Sequence, residues 1–169
     1  MVILGIDPGL KHTGWAIVEA CGSVCQARAY GCIDTVARES TATRLATIHD
    51  ALREVIERYA VQEAAIEDIY FGANARSAFA LGQARGAAIL ACADLREVAE
   101  YPPATIKSAI VGGGNATKEQ VGYMVQMALG LDHVPTPDHC SDACAVALTH
   151  LYMRTKSERI GRAERRACA

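Results

Sequence analysis

Three acidic residues lie within or directly after apolar segments, where an unpaired charge is unfavourable. They are Asp7 after residues 2–6, Glu67 within residues 64–69, and Asp142 on an otherwise apolar helix pattern. No lysine or arginine is close enough along the chain to pair with all three, whereas a bound divalent cation would satisfy them together. Two metal ions about 4 Å apart in such a cluster activate water and stabilise the leaving oxygen of a phosphodiester. The pattern therefore indicates metal-dependent hydrolytic phosphoryl chemistry.

The elements that position these carboxylates alternate between strand and helix patterns. The predicted order, in residue numbers, is strand 2–6, strand 14–18, strand 27–33, helix 41–59, strand 64–69, helix 75–95 and strand 98–101. A turn around Gly22 and Ser23 joins the second and third strands. The order predicts an α/β fold, with a mixed five-stranded sheet of three antiparallel strands and then parallel strands, flanked by helices.

Further helices are predicted after the fifth strand. A short helix carries Lys107 and ends at the glycines of residues 112–114. Thr117 begins the next helix in a capping box with the glutamine three residues later. The last helix is expected to have Thr136 as its N-cap and Pro137 at its first position, and to run to about residue 152. This helix would bring Asp142 to the sheet edge where Asp7 and Glu67 lie.

The composition is that of one globular domain, with 169 residues of which 51% are apolar and 5% aromatic. No basic leader and no apolar run of roughly 20 residues is present, so a cytoplasmic location without membrane contact is predicted. The seven cysteines are predicted to be free thiols rather than disulfides. The Cys21/Cys25 and Cys140/Cys144 spacings leave zinc binding as an alternative.

Charge is unevenly distributed, although the net charge is only −2. From Arg154 onward six basic residues face two acidic ones, a formal +4, so the rest of the chain carries −6. We therefore divide the chain into a nuclease domain at residues 1–153 and a flexible basic C-terminal tail at residues 154–169. The tail is either a solvated helical extension or an electrostatic arm for DNA.

Four sequence blocks resemble the RuvC family of Holliday junction resolvases. They are Gly-Ile-Asp-Pro-Gly at 5–9, Ala-Ile-Glu at 65–67, Leu-Gly-Gln-Ala-Arg-Gly at 81–86 and Asp-Ala-Cys-Ala-Val-Ala at 142–147. The resemblance runs from about Met1 to His150. It implies a ribonuclease-H-like fold and a structure-selective DNA endonuclease that resolves Holliday junctions by paired symmetric nicks in homologous recombination and DNA repair.

The resemblance also implies a metal site. Asp7, Glu67 and Asp142 take the metal-ligand positions, and His139 takes the fourth, where many members have aspartate. His139 lies three residues before Asp142 and so shares its helical face, but Asp138, four residues before, is the alternative fourth ligand. Two magnesium ions are expected, with manganese as the alternative because imidazole is a softer ligand than carboxylate.

Contacts with DNA and protein follow from the same resemblance. Lys107 and Lys118 fall where the family keeps two lysines, and Lys118 is also expected to act near the scissile bond. Tyr70 resembles the aromatic residue at the junction centre, with Phe71 beside it. The resemblance implies a homodimer on four-way junction DNA and partnership with the branch-migration proteins RuvA and RuvB.

The long alanine-rich helix has roles that the sequence leaves open. Arg76 and Arg85 flank it, and phosphate contact, dimer contact or a surface salt bridge are all open for them. Its small residues, including Gly82 and Gly86, would allow close packing, either against the protein's own sheet or against a helix of a second copy.

Two other functions fit part of the pattern. A junction-binding module without catalysis would keep the fold and lose the chemistry. The loop at residues 5–9 also suits the phosphate loop of actin-like ATPases and sugar kinases, but those enzymes close two such domains over a nucleotide. A chain of 169 residues has room for one.

Overall fold

The computed structural model describes residues 1–22, 24–68 and 75–167, with the side chains of 158–167 excepted. Its strands are β1 (Val2–Asp7), β2 (His12–Cys21), β3 (Val24–Asp34), β4 (Glu63–Glu67) and β5 (Val98–Tyr101). Its helices are α1 (Thr41–Tyr59), α2 (Ala75–Ala91), α3 (Pro103–Val111), α4 (Lys118–Leu129) and α5 (Asp138–Ala167).

The strands form one five-stranded sheet in the order β3-β2-β1-β4-β5. β1 pairs antiparallel with β2, and β2 with β3, whereas β4 pairs parallel with both β1 and β5. Apolar residues on one face of the sheet pack against α1 and α2, and those on the other pack against α3, α4 and α5. The predicted mixed sheet flanked by helices is confirmed.

Two glycines let α5 lie directly on the sheet. A Cβ added at Gly5 on β1 would overlap the carbonyl oxygen of Ala143, and a Cβ at Gly14 on β2 would overlap the carbonyl oxygen of His139. Any side chain at either position would push the helix away from the strands. The first turns of α5 therefore lie beside the carboxyl end of β1.

Several predicted boundaries are confirmed because they depend on local chemistry. α1 spans the predicted residues, and the Ser40 side chain caps it by accepting from the backbone N–H of Thr43. α4 begins with the predicted capping box, and Gly112 ends α3 in the left-handed conformation. Other bounds differ, since β2 and β3 continue their hairpin ladder well beyond the predicted strands and α2 ends at Ala91.

The last helix differs from its prediction at both ends. It begins at Asp138, one residue later than predicted, and the carbonyl of Pro137 accepts from the N–H of Cys140. It continues as helix to Ala167 rather than ending near Tyr152, and Arg154 within the added part forms an ion pair with the buried Glu63. The role of residues 154–169 as a DNA arm stays a prediction. Within the described ranges, no helix has the length and apolar character needed to cross a membrane.

Candidate functional site

Four side chains from three elements meet at one edge of the sheet. Asp7 ends β1 and Glu67 ends β4, and because Ile6 and Ile66 are partners in the parallel ladder, both carboxylates leave the same edge. The first turns of α5 bring two more donors to this edge. We call this set the four-donor cluster: Asp7, Glu67, His139 and Asp142.

The side chains of the cluster lie close together. His139 Nδ1 lies 2.6 Å from Asp7 Oδ2. One ligand atom each from Asp7, His139 and Asp142 lies within 4.8 Å of the others. Glu67 lies close enough to Asp7 and Asp142 for both to raise its pKa.

Crowded acidic groups give the cluster an unfavourable negative charge. Burial, and after it the charges of Asp7 and Asp142, raise the pKa of Glu67 to about 7. Burial also raises the pKa of Asp7, although the hydrogen bond from His139 opposes that rise. The site is therefore short of positive charge.

A divalent cation fits this arrangement. Three carboxylates and one imidazole are a donor set for magnesium, manganese or a related ion. A bound cation would favour the ionised form of Glu67, which burial and its acidic neighbours oppose.

The predicted lysine lies at the entrance to the cluster. Lys118, the first residue of α4, places its Nζ 2.9 Å from Asp142 Oδ2 and 3.3 Å from Asp138 Oδ2. Burial lowers its pKa, but the hydrogen bonds and charges of the two aspartates outweigh burial and raise it. The Lys118 side chain is half exposed, so it pairs with Asp142 and remains accessible to solvent.

The position of the fourth donor favours His139 over Asp138. His139 is hydrogen-bonded to Asp7 inside the cluster. Asp138 has a side chain that is 76% exposed, and it pairs with Lys118 outside the trio. Asp138 also lies in the first turn of α5, where the helix dipole favours an acid without any ligand role.

The other predicted DNA-binding residues are more dispersed. Lys107 is half-buried on α3, and no carboxylate among the described residues lies within ion-pair distance of it. Arg76 is exposed in the first turn of α2. Tyr70 and Phe71 lie outside the described residues.

Arg85, for which three roles were open, forms salt bridges. Its guanidinium pairs with Glu100 and, at 3.3 Å, with Asp68. Its Nε donates to the backbone carbonyl of Glu67 at 3.2 Å. Arg85 therefore ties α2 to the ends of β4 and β5 and supports the strand that carries Glu67.

Sequence reasoning missed a histidine beside the cluster. The ring of His12 stacks on that of His139 with centroids 5.6 Å apart, and His12 Nδ1 lies 2.6 Å from Asp34 Oδ1. His12 and Asp34 are cross-strand partners in the β2–β3 hairpin. His12 and Asp34 are 22 positions apart, so the sequence could have indicated this pair only if the two predicted strands were aligned in register.

The cysteines that the structure describes are free, and Cys168 lies outside the described residues. Neither the Cys21/Cys25 pair nor the Cys140/Cys144 pair forms a three-donor cluster with the described histidines, cysteines and acids. A different cysteine, Cys32, does join such a cluster with His12 and Asp34.

Comparison with known proteins supplies a family. A family model described as Crossover junction endodeoxyribonuclease RuvC matches residues 3–150. The chain is 48% identical over 151 residues to the Crossover junction endodeoxyribonuclease RuvC of Moorella thermoacetica, covering 89% of this chain and 90% of that protein. The corresponding protein of Treponema pallidum is 45% identical over 152 residues, with coverages of 89% and 78%.

Solved structures agree with the sequence relatives. A Thermus thermophilus RuvC structure aligns with a TM-score of 0.85 at 34% identity, covering 93% of this chain and 97% of that one. Thermus thermophilus RuvC in complex with a Holliday junction substrate aligns with a TM-score of 0.88 at 33% identity, covering 93% and 96%. The ribonuclease-H-like fold class that the sequence predicts is confirmed.

Proposed function

The chain belongs to the RuvC family of crossover junction endodeoxyribonucleases, and we propose that its four-donor cluster is where it cuts the DNA. It is a metal-dependent endonuclease that resolves Holliday junctions, as the named relatives and the junction-bound neighbour support. The observation that carries the site proposal is the meeting of Asp7, His139 and Asp142 within 4.8 Å, with Glu67 beside them.

The four-donor cluster would hold two magnesium ions, with manganese as the alternative. When bound, these ions supply an activated water and charge stabilisation for in-line phosphodiester hydrolysis. Asp7 and Glu67 are held on adjacent strands and Asp142 on a helix packed against them, so the protein presents its donors with little reorganisation. The bond between His139 and Asp7 orients both groups toward the same space.

The lysines would hold the DNA backbone near this cluster. Lys118 already bonds Asp142, so a phosphate oxygen brought to the metal site would meet the same ammonium group and be steadied by it. Lys107, Arg76 and the aromatic pair Tyr70 and Phe71 complete the proposed DNA surface, with the lysines contacting phosphates and an aromatic ring stacking on an unpaired base.

The test of the site is a variant that removes one ligand charge. Glu67→Gln is expected to bind a synthetic four-way junction with near-normal affinity, because its phosphate contacts remain. It should lose at least about 100-fold in cutting, because one ligand charge is removed. Glu54→Gln on the exposed face of α1 is the matched control. Gel-shift and cleavage assays with magnesium decide the matter, and cutting by Glu67→Gln at the control rate would refute the ligand assignment.

The fourth ligand has its own test. His139→Ala is expected to lose most cleavage, whereas His139→Asp restores a carboxylate and should cut with a better response to magnesium relative to manganese. Asp138→Asn should remain active. Cleavage by His139→Ala together with an inactive Asp138→Asn would transfer the fourth ligand position to Asp138.

A homodimer suits this reaction, since two symmetric strands must be cut. The inner face of α2 is buried against the sheet through Ala84, Ala88 and Ala91, so its small residues do not all serve one surface. On the outer face, Phe79 is 72% exposed and Leu90 is 66% exposed, which favours a second copy there. Sedimentation of Phe79→Glu tests this, and an unchanged dimer would exclude α2 as the interface.

The proposal extends to the cellular setting. RuvA and RuvB are proposed as partners by relationship to the family, and the cytoplasm, where bacterial DNA lies, as the location. Residues 1–153 are proposed as the nuclease domain and 154–169 as its basic extension. Neither a catalytically inactive module nor a kinase-like domain is favoured, because the relatives are named endodeoxyribonucleases over most of this chain.

A further inference from the structure

A second set of metal-binding side chains lies next to the four-donor cluster. Cys32 and Asp34 are two residues apart on β3, so their side chains share one face of the strand, and His12 on β2 is the cross-strand partner of Asp34. One ligand atom from each lies within 4.8 Å of the other two. We call this set the hairpin-end cluster: His12, Cys32 and Asp34.

We propose that the hairpin-end cluster is a second metal site, selective for zinc-class ions. Imidazole, thiolate and carboxylate are the donors that zinc takes, and a thiolate disfavours magnesium and manganese. Three protein donors leave the fourth tetrahedral position for water.

The distances need only small adjustments. Zinc bonds of about 2.0–2.1 Å to nitrogen or oxygen and about 2.3 Å to sulfur place tetrahedral ligand atoms roughly 3.3–3.6 Å apart. Cys32 Sγ already lies 3.4 Å from Asp34 Oδ1. His12 Nδ1 lies 2.6 Å from the same oxygen, so this pair must open by about 0.7 Å. The Asp34 side chain is 71% exposed and can rotate to do so.

The local charge favours a cation and requires the loss of one proton. Burial, its hydrogen bond to Asp34 and the charges of Asp34, Cys140 and Asp7 together raise the pKa of the Cys32 thiol to about 12. The same anions attract a metal ion, which makes a coordinating thiol give up its proton. Each ion bound should therefore release the Cys32 proton to the buffer.

The other donor cluster outside the four-donor cluster offers a contrast. Glu63, Glu97 and His150 also lie within 4.8 Å of one another. The guanidinium of Arg154 already pairs with Glu63 and, at 3.9 Å, with Glu97, so a fixed cation stands where an ion would bind. In the part of the chain that the structure describes, no lysine or arginine pairs with Asp34 in this way.

An ion here would be felt at the proposed catalytic site. His12 stacks on His139, so drawing the His12 ring toward an ion moves the surface against which His139 packs. We expect zinc to inhibit cleavage through this contact, a consequence that rests on the proposed function.

Cobalt is the probe for the site itself, because a thiolate–cobalt bond gives a near-ultraviolet charge-transfer band and the four-donor cluster has no thiol. The full chain titrated with Co²⁺ should develop this band with one equivalent. Cys32→Ser should abolish it, and the matched variants Cys21→Ser and Cys140→Ser should retain it. A missing band, or a band that persists in Cys32→Ser, overturns the proposal.

Two further variants guard against misfolding of Cys32→Ser. His12→Gln and Asp34→Asn alter half-exposed or exposed side chains and should each weaken cobalt binding by about tenfold or more. Wild-type affinity in both would also overturn the site.

Junction cleavage at fixed magnesium tests the inhibitory consequence. Zinc should inhibit the wild type at a concentration about tenfold lower than it inhibits Cys32→Ser, whose cleavage without zinc should be unchanged. Equal inhibition of both would refute the coupling to His139 while the cobalt band still decides the site. A wild type that does not cut in magnesium alone would instead count against the proposed function.

Discussion

Replacing Glu67 by glutamine should make the metal-free protein more stable at neutral and alkaline pH. Glu67 has a raised pKa of about 7, because it is buried beside the carboxylates of Asp7 and Asp142. Without metal, the Glu67 carboxyl group of the folded protein loses its proton as pH rises, and its charge is unfavourable there. Glutamine keeps the shape and carries no charge.

The size of the effect follows from the pKa. A rise from the ordinary 4.5 to about 7 corresponds to about 3.4 kcal/mol at 1.36 kcal/mol per pKa unit. The side chain is only partly shielded from solvent and its titration is coupled to that of Asp7, so we expect about 1–3 kcal/mol. For a chain of this length, this is a rise in Tm of roughly 2–12 °C.

The difference in stability between the two proteins depends on pH. Because the folded state favours the protonated form of Glu67, its favourable contribution is complete below about pH 4.5 and is lost as pH rises through about 7. The two proteins should therefore have similar stability near pH 5 and differ most at pH 8. Thermal denaturation in a chelator across this range measures the difference, and adding magnesium should stabilise the wild type more than the variant.

Glu63→Gln is the matched comparison on the same strand, with the opposite expected sign. Glu63 is 1% exposed, and its carboxylate pairs with Arg154 and accepts a hydrogen bond from His150 Nε2 at 3.1 Å. Removing its charge should destabilise the protein by about 2–4 kcal/mol. If Glu67→Gln destabilises the metal-free protein at pH 8 as Glu63→Gln does, the reasoning about charge crowding is wrong.

Two further predictions concern α5 and its packing on the sheet. Truncation after Ser157 should keep the fold and make the salt dependence of junction binding shallower. Truncation after Tyr152 also removes Arg154 and should lower Tm. Equal Tm values for the two truncated proteins would show that Arg154 does not anchor the helix. Gly14→Ala should lower the free energy of unfolding by about 1–3 kcal/mol and reduce cleavage, because the new methyl group overlaps the carbonyl of His139. An unchanged Tm would contradict the close approach of α5 to β2.

Local chemistry in the sequence determined much of the fold. α1 was predicted over its observed residues because its apolar period and its boundary are both short-range. β5 was predicted at 98–101 because a proline follows it, and the capping box at Thr117 requires only residues three positions apart. Asp7, Glu67 and Asp142 were identified as candidate ligands by the same local signal, a carboxylate in an apolar segment.

Only the tertiary structure decided which buried acids lack positive partners. Glu63 begins the short strand β4 and Glu67 ends it, with three apolar residues between them. Glu63 meets Arg154, 91 positions away, and is neutralised, whereas Glu67 meets two further acids and is not. The pairing of His12 with Asp34 and of Lys118 with Asp142 likewise requires strand register and helix docking. Charge balance in a folded protein is a sum over neighbours in space, and the chain order alone does not contain those neighbours.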